Sequence, residues 1–477
     1  MKKKSLLFLS LLVTIITYAQ VGIGTVTPDP SSMLDIQSDS QGLLAPRMTT
    51  IQRNAITTPA ESLLVFDTDE DSFYYYDSTN SVWVKINSSS NQRDNYVLVK
   101  SEDDFPDAGG GNIVLDTDTL YELNGEIEVS SSIELNGAYI IGNDVGEDIL
   151  KFTGSGSLFT GSGGSIRSFG INANGQQVFD ITNPGANNNL IFQNLSVFGA
   201  SSIGTLSNFN IVFCSIIQYV GNQDGITLTD VNQVLFTNIY WNATNTGTFE
   251  TLNGSFDIIQ QQGGVIVSDN GEAGLNVSSN PAVTQAATLS NVTFTSTGTG
   301  VAVNGYGSGS YPGYNFTNDW VVDCPGIPKE SDDVATGNIY YDTTNPAGVV
   351  SITNNTAFKL PVNTNAIRLF RITEGTAGNS ENRIIYRGEK ERALNVFGTV
   401  SFTATTGTRL GFSIYKNGAL VTGTEAIVDV LQTNQRQTVS IIGTVSVDLD
   451  DYIEIYVRKL SAPNEDFLVT SYNLIVN

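Results

Sequence analysis

The sequence predicts an all-β chain with an N-terminal β-hairpin head, a right-handed parallel β-helix and a C-terminal jelly-roll sandwich. Three observations lead there. First, the 477 residues include 46 Gly, only 15% are charged, and few segments keep a helical apolar period; such a chain is built of short strands and many turns. Second, a motif of apolar, any, Ser/Asn, apolar, any, apolar recurs through the middle of the chain. Third, the last 140 or so residues hold longer, cleanly alternating apolar runs.

Residues 1–19 read as an export signal. MKKK is a basic start, SLLFLSLLVTII is an apolar stretch, and Ala19 is a small residue before Gln20. The apolar stretch is too short for a transmembrane helix. A secreted, extracellular product with no membrane insertion after signal removal is therefore expected, either free or held at a cell surface by partners. Residues 20–94 form the head. LLVFDTD and FYYYD read as a hairpin turning at the acidic DTDED, SVWVKI is the next strand, and MTTIQRNAI holds one helical turn capped by Thr49 or Thr50. The polar stretch NSSSNQRDN (87–95) is the linker that ends it.

Residues 95–330 are the solenoid region. The motif appears as Ile166-Arg-Ser-Phe-Gly-Ile171, Phe192-Gln-Asn-Leu-Ser-Val197, Leu206-Ser-Asn-Phe-Asn-Ile211, Phe236-Thr-Asn-Ile-Tyr-Trp241 and Leu289-Ser-Asn-Val-Thr-Phe294. Several intervals suit a coil of roughly 20–27 residues. In such a coil the inward positions stack as apolar ladders and a corner Asn can hydrogen-bond along the stack. Lys151 and Arg167 are the only basic residues between positions 101 and 328, which suits stacked coils, where like charges would lie one strand spacing apart. A plain antiparallel sandwich is the competing reading. In residues 331–477, AIRLFRI, RALNVFGTVSFTA, TRLGFSIYK, QTVSIIGTVSVDL and DYIEIYVRKL alternate as sandwich strands, and Asn417-Gly418 marks a hairpin.

Composition excludes several functions. There are 23 Lys plus Arg against 48 Asp plus Glu, for a net charge of −25; nucleic acid and anionic lipid are poor partners for such a surface. The chain has no His, so the commonest general base and zinc ligand are missing. Cys214 and Cys324 can form at most one bridge, and Cys214 lies in the apolar run IVFCSII, which favours a buried thiol. No metal or cofactor is expected. Asp67-Thr-Asp-Glu-Asp71 lacks the Gly and Glu of an EF-hand loop, holding Ser72 and Ser78 there, so it reads as a solvated hairpin turn, with adventitious calcium as the alternative. The glycines of QVGIGTVTP do not make a dinucleotide loop. Thr27 replaces the third Gly, and Pro28 and Pro30 block the helix that should follow.

Two kinds of candidate site remain. The carboxylates Asp224, Asp230, Asp257, Asp269, Asp319 and Asp323 could pair for polysaccharide hydrolysis or serve as turn residues beside Gly and Asn; the turn reading is preferred, and no catalytic residue is assigned. The loop NGYGSGSYPGYNFTNDW (304–320) offers Tyr306, Tyr311, Tyr314, Phe316 and Trp320. Their rings could stack on a sugar, with Tyr306, Tyr311, Tyr314 and Trp320 as ligand-binding residues, or they could cap the last coil of the solenoid.

The string QVGIGTVTP…MLDIQS…GLLAPRMTTIQRNAI…LLVFDTD…FYYYD…VWVKI resembles the N-terminal module of exported surface proteins from Bacteroidota, and part of it the VGIGT-P-x-LDV repeats of phage tail-fibre stalks. ALNVFGTVSFTA, LGFSIYKNGALV and DYIEIYVRKL…TSYNLIV resemble the trimeric jelly rolls of tail-fibre tips and of the tumour-necrosis-factor type. These resemblances imply a homotrimeric, non-catalytic adhesin or fibre that recognises a surface glycan or protein. The alternatives are a carbohydrate-active enzyme on the solenoid and a purely structural fibre component. The resemblance to tail fibres carries no expectation of self-cleavage here, because these residues do not match a terminal chaperone segment.

Overall fold

The structure is a computed structural model that describes residues 20–86, 95–182, 184, 188–341, 350–352, 355–375, 382–461 and 465–477. The export signal and nearly all of the 87–95 linker lie outside the described residues. The chain divides into two compact units, residues 1–94 and 95–477.

In the first unit, Val21–Ile23 and Leu34–Ile36 pair in parallel. The path is tight. Gly24 has φ +82°, and a Cβ there would run into the Gln37 carbonyl oxygen; this is the role of the GxG. Arg47–Met48 then pairs in parallel with Leu64–Asp67, which forms an antiparallel meander with Ser72–Asp77 and Val82–Lys85. The helical turn is Thr50–Asn54. Its cap is Thr49, whose hydroxyl accepts from the Gln52 amide while the Gln52 side chain accepts from the Thr49 amide. The acidic turn is not wholly solvated. Asp67 is fully buried and accepts from Arg53 Nε at 2.8 Å, from the Thr50 hydroxyl and from the amides of Asp69 and Glu70. Burial alone would raise its pKa, but these hydrogen bonds hold it below the usual value. The Arg53 guanidinium lies 3.9 Å from the Tyr74 ring centre, so one buried ion pair joins helix and meander.

The second unit begins with a parallel β-solenoid, which excludes the antiparallel reading of residues 95–330. Its strands fall on three faces, in sheets of fourteen and nine strands among the described residues. One long strand of each central coil serves two faces by bending at a single residue. Asn189–Phe198 stacks on Ile211–Val220, which stacks on Gln233–Trp241 and then on Ser255–Ser268. Ile191 faces Phe213, and Phe213 faces Leu235. The bends fall at Ser168, Asn194, Ile216, Asn238, Gly263 and Asn291, all with φ between +52° and +69°. The recurring Ser/Asn of the sequence is thus a left-handed corner, a conformation that Asn tolerates and β-branched residues resist. Leu206-Ser-Asn-Phe is the exception, since Asn208 (φ +60°) turns a different corner, before the strand Ile211–Val220.

Inside, the expected ladders form. Leu190, Val212, Val234, Ile259 and Ala287 stack in line, as do Val197, Tyr219, Trp241, Ile266 and Phe294. A buried Asn ladder crosses two coils: Asn222 Nδ2 donates to Asn245 Oδ1 at 2.9 Å, and Asn245 Nδ2 donates to the Tyr219 carbonyl. Two ladders are broken by polar residues. Glu250 sits between Ile226 and Leu275, and Gln261 between Phe236 and Leu289. Cys214 and Cys324 are buried free thiols.

Beyond the solenoid, residues 336–476 form an antiparallel two-sheet sandwich with its own core. In one sheet the order is Asn365–Phe370, Thr336–Tyr341, Glu465–Val476, Arg392–Thr403, Gln437–Val447. The other centres on Tyr452–Lys459 and Arg409–Lys416. Lys416 pairs with Ala419 across the Asn417-Gly418 hairpin, both turn residues having positive φ.

Ile216 is the β-branched residue among these corners and is 45% exposed. Ile216→Asn should therefore stabilise the chain by about 1 kcal/mol, and Asn238→Ile should destabilise it by a similar amount; urea unfolding of both variants checks the pair.

Candidate functional site

The aromatic loop closes the end of the solenoid. Trp320 and Phe316 are fully buried and Tyr306 nearly so. Trp320 Nε1 donates to the Tyr306 hydroxyl at 3.0 Å, and that hydroxyl donates to the Pro281 carbonyl at 2.8 Å. Phe316 packs on Trp320 with ring centres 4.6 Å apart. Glu330 holds the loop from below, its two oxygens accepting from the amides of Asn315 and Phe316. Burial raises its pKa, against the pull of those amides.

Tyr311 and Tyr314 face the other way. Tyr314 stacks on Phe370 of the sandwich at 3.9 Å, and Tyr311 meets the same ring edge-on at 5.4 Å. The four tyrosine and tryptophan candidates therefore split into two groups. Tyr306 and Trp320 fill the last coil, whereas Tyr311 and Tyr314 are half-buried against the neighbouring sandwich. A sugar ring could stack on Trp320 only by displacing the cap.

An ion pair locks the same junction. Arg371 is buried and donates to Asp332 Oδ1 at 2.5 Å, to the Trp320 carbonyl at 2.6 Å and to the Asn318 carbonyl at 3.1 Å. The other Asp332 oxygen accepts from the amides of Glu389 and Lys390. Phe370, Arg371, Asp332 and Glu330 were not singled out from the sequence. The available signal was an Arg directly after the last apolar residue of an alternating strand.

Each of the carboxylates considered for hydrolysis has a hydrogen-bond or ion-pair partner; Asp257 and Asp323 lie in strands rather than turns. Asp224 Oδ1 accepts from the Gly225 and Thr248 amides, and Asp230 Oδ1 from the Ser255 amide. Asp257 and Asp269 accept from Thr284 and Thr297, Asp319 from Thr317, and Asp323 pairs with Lys329. Among the described residues no group of three or more acidic or Cys side chains could hold a metal ion.

The buried polar pair in the core is a separate feature. Both Glu250 oxygens accept from Gln261 Nε2, at 2.7 and 2.8 Å. Burial pushes the Glu250 pKa from 4.5 to about 8, with Gln261 opposing the shift. The same burial raises the thiol of Cys214 and the phenol of Tyr219.

In the first unit the apolar surface is unusually open. Val21, Ile23, Val26, Met33, Leu34, Leu43, Leu44 and Ile51 are all more than half exposed, Val26 at 98%.

Residues 22–96 match a family described as "Phage tail like trimerisation region". Comparison with the curated proteins finds no match. Among solved structures, the chain is similar to Eiger TNF from S. frugiperda (9% identity, 30% of this chain and 91% of that chain, TM-score 0.21). It is also similar to the enzymatically active domain of tailspike protein 4 from bacteriophage CBA120 (10%, 91% and 77%, TM-score 0.20). A third is ORF18 of Geobacillus virus E2 (12%, 85% and 90%, TM-score 0.19).

Three measurements test the site. Trp320→Ala should cost about 3–5 kcal/mol of stability in urea, against about 1 kcal/mol for Tyr311→Ala, which loses one ring contact. Arg371→Ala strands the Asp332 carboxylate and should cost about 3–5 kcal/mol. Glu250 titrates with a sign opposite to that of a salt-bridged acid. Its unfolded form ionises near 4.5 while the folded form keeps its proton to about 8, so its contribution falls as pH rises through that window. Glu250→Gln should accordingly flatten that slope, and its advantage over wild type should grow from pH 5 to pH 8.

Proposed function

We propose that the chain is an exported, trimeric fibre-like surface protein whose C-terminal sandwich recognises a glycan or protein and which is not itself a catalyst. The observation that carries this reading is the match of residues 22–96 to a phage-tail-like trimerisation region, in the same unit whose apolar side chains are left in solvent. A segment that cannot cover eight large apolar residues by itself is suited to burying them against its own copies. Next along the sequence comes a solenoid, a rigid spacer by construction, and then a sandwich of the jelly-roll type joined to it by a buried clamp. That order suits a shaft that carries a recognition domain away from its attachment.

The solenoid surface fits a shaft better than a cleft. The carboxylates considered for hydrolysis are hydrogen-bonded or ion-paired, and the aromatic loop is taken up by closure and by the sandwich. Recognition is accordingly assigned to the sandwich, whose second sheet displays the stacked rings of Tyr415 and Tyr456, 4.0 Å apart.

Light scattering on the mature chain should give the mass of three chains at micromolar concentration; a single-chain mass overturns the reading. Leu43→Asp with Leu44→Asp should shift that mass toward the monomer by at least about tenfold in dissociation constant. A glycan array tests recognition. Release of product from a polysaccharide panel would instead support a carbohydrate-active enzyme.

A further inference from the structure

Glu250 has no exposed surface, and its neighbours in line are Ile226 and Leu275. Both of its oxygens accept from Gln261 Nε2. Gln261 belongs to Ser255–Ser268, the long strand of the following coil, where Phe236 and Leu289 lie in line with it. The contact therefore crosses the core and ties Thr248–Asn253 to that strand. Charge on Glu250 has nothing to meet there. The titratable groups beside it are Cys214 and Tyr219, both on Ile211–Val220, and a negative Glu250 holds thiol and phenol still more firmly in their neutral forms. No cation acts on it from any side.

Packing around this pair is incomplete. A gap of about 10 Å³ lies among Phe236, Phe249, Gln261 and Ile266 and reaches the corner residues Gln262 and Gly263. That is about the room one water needs, and Gln262 is exposed. Trp241 Nε1, buried against Phe249, has no hydrogen-bond partner. Gly263 and Gly264 place no side chain over the corner, and Gly264 must stay bare because a Cβ there would run into the Ile239 carbonyl oxygen. On the far side of the same strand the register slips between Phe256 and Ile258.

We infer that the Glu250–Gln261 contact is a proton-operated latch between coils. Protonated, it holds Ser255–Ser268 onto Gln233–Trp241; deprotonated, it admits water at Gly263 and parts these two strands while the coils on either side stay folded. A carboxylate without a counter-ion cannot remain in an apolar column, and one neutral amide donor replaces little of the water it loses. It must keep its proton or reach solvent, and the gap beside Gly263 is a short route out. Local opening is possible because each coil of a solenoid is held by its two neighbours alone. Open, Glu250 ionises near its ordinary 4.5; closed, it keeps its proton to about 8. Each pH unit between those values favours the open form about tenfold more, and above about 8 the gain levels off. An acidic or neutral medium thus stiffens one coil interface and an alkaline one softens it. The latch lies inside one chain, so it stands apart from the trimeric reading.

Hydrogen exchange read by mass spectrometry on the full mature chain tests this, with rates corrected for the intrinsic effect of pH. At pH 8 residues 255–268 should exchange at least about tenfold faster than residues 189–198, which lie earlier in the stack. That ratio should shrink at least about tenfold on going to pH 6. Glu250→Gln keeps the size of the side chain and cannot ionise, so its ratio should stay the same from pH 6 to pH 8. Equal protection of the two segments at pH 8 overturns the inference, because the solenoid then opens as a whole. A ratio that ignores pH in the unaltered chain overturns it, as does one that follows pH equally in Glu250→Gln. Should that variant fail to fold, the ratio in the unaltered chain at pH 8 against pH 6 decides alone.

Discussion

The solenoid depends on one backbone constraint, a single left-handed residue at the same place in successive coils. Each long central strand must leave one face and enter the next within one residue, and positive φ does this without an added loop. Because the bend is local, the residues on either side stay in register with those above and below. Apolar side chains then fall into line, and the Asn222–Asn245 ladder becomes possible. The spacing of Asn194, Ile216 and Asn238 therefore fixes the coil length in this part of the chain.

A stack of coils ends in an exposed cross-section, and this chain closes it with aromatic mass anchored by charge. Tyr306, Phe316 and Trp320 cover the last coil. Glu330 fixes the loop that carries them, and Arg371 reaches in from the sandwich to bind the Trp320 carbonyl. The cap and the interdomain joint are thus one structure, with Phe370 against Tyr311 and Tyr314 as its apolar half.

Much of this architecture was readable from residue order. Ser168, Asn194, Asn238 and Asn291 stood out because positive φ restricts residue choice, and Asn417-Gly418 did so for the same reason. Alternation was enough to identify the sandwich strands, since each has a single buried side. The long-range partners were not readable. Asp67 looked like part of a solvated turn because nothing near it in sequence reveals Arg53 stacked on Tyr74 behind it. Glu250 and Gln261 lie eleven residues apart on different faces of one coil, and only the closed coil brings them together. The aromatic loop was legible as a dense group of rings, but its division between cap and joint depends on Phe370 and Arg371, more than fifty residues away from the loop's centre.

The direction of the coil-to-coil hydrogen bonds has a mechanical consequence. They run along the stack, so tension applied through the sandwich passes across every coil interface in series. Within one interface many bonds share the load, but the weakest interface sets the strength of the whole. The ladder between Ser255–Ser268 and Ala282–Ser290 is a place to look, because its register slips between Phe256 and Ile258. The Arg371–Asp332 joint delivers a pull from the tip directly into the capped end of this stack.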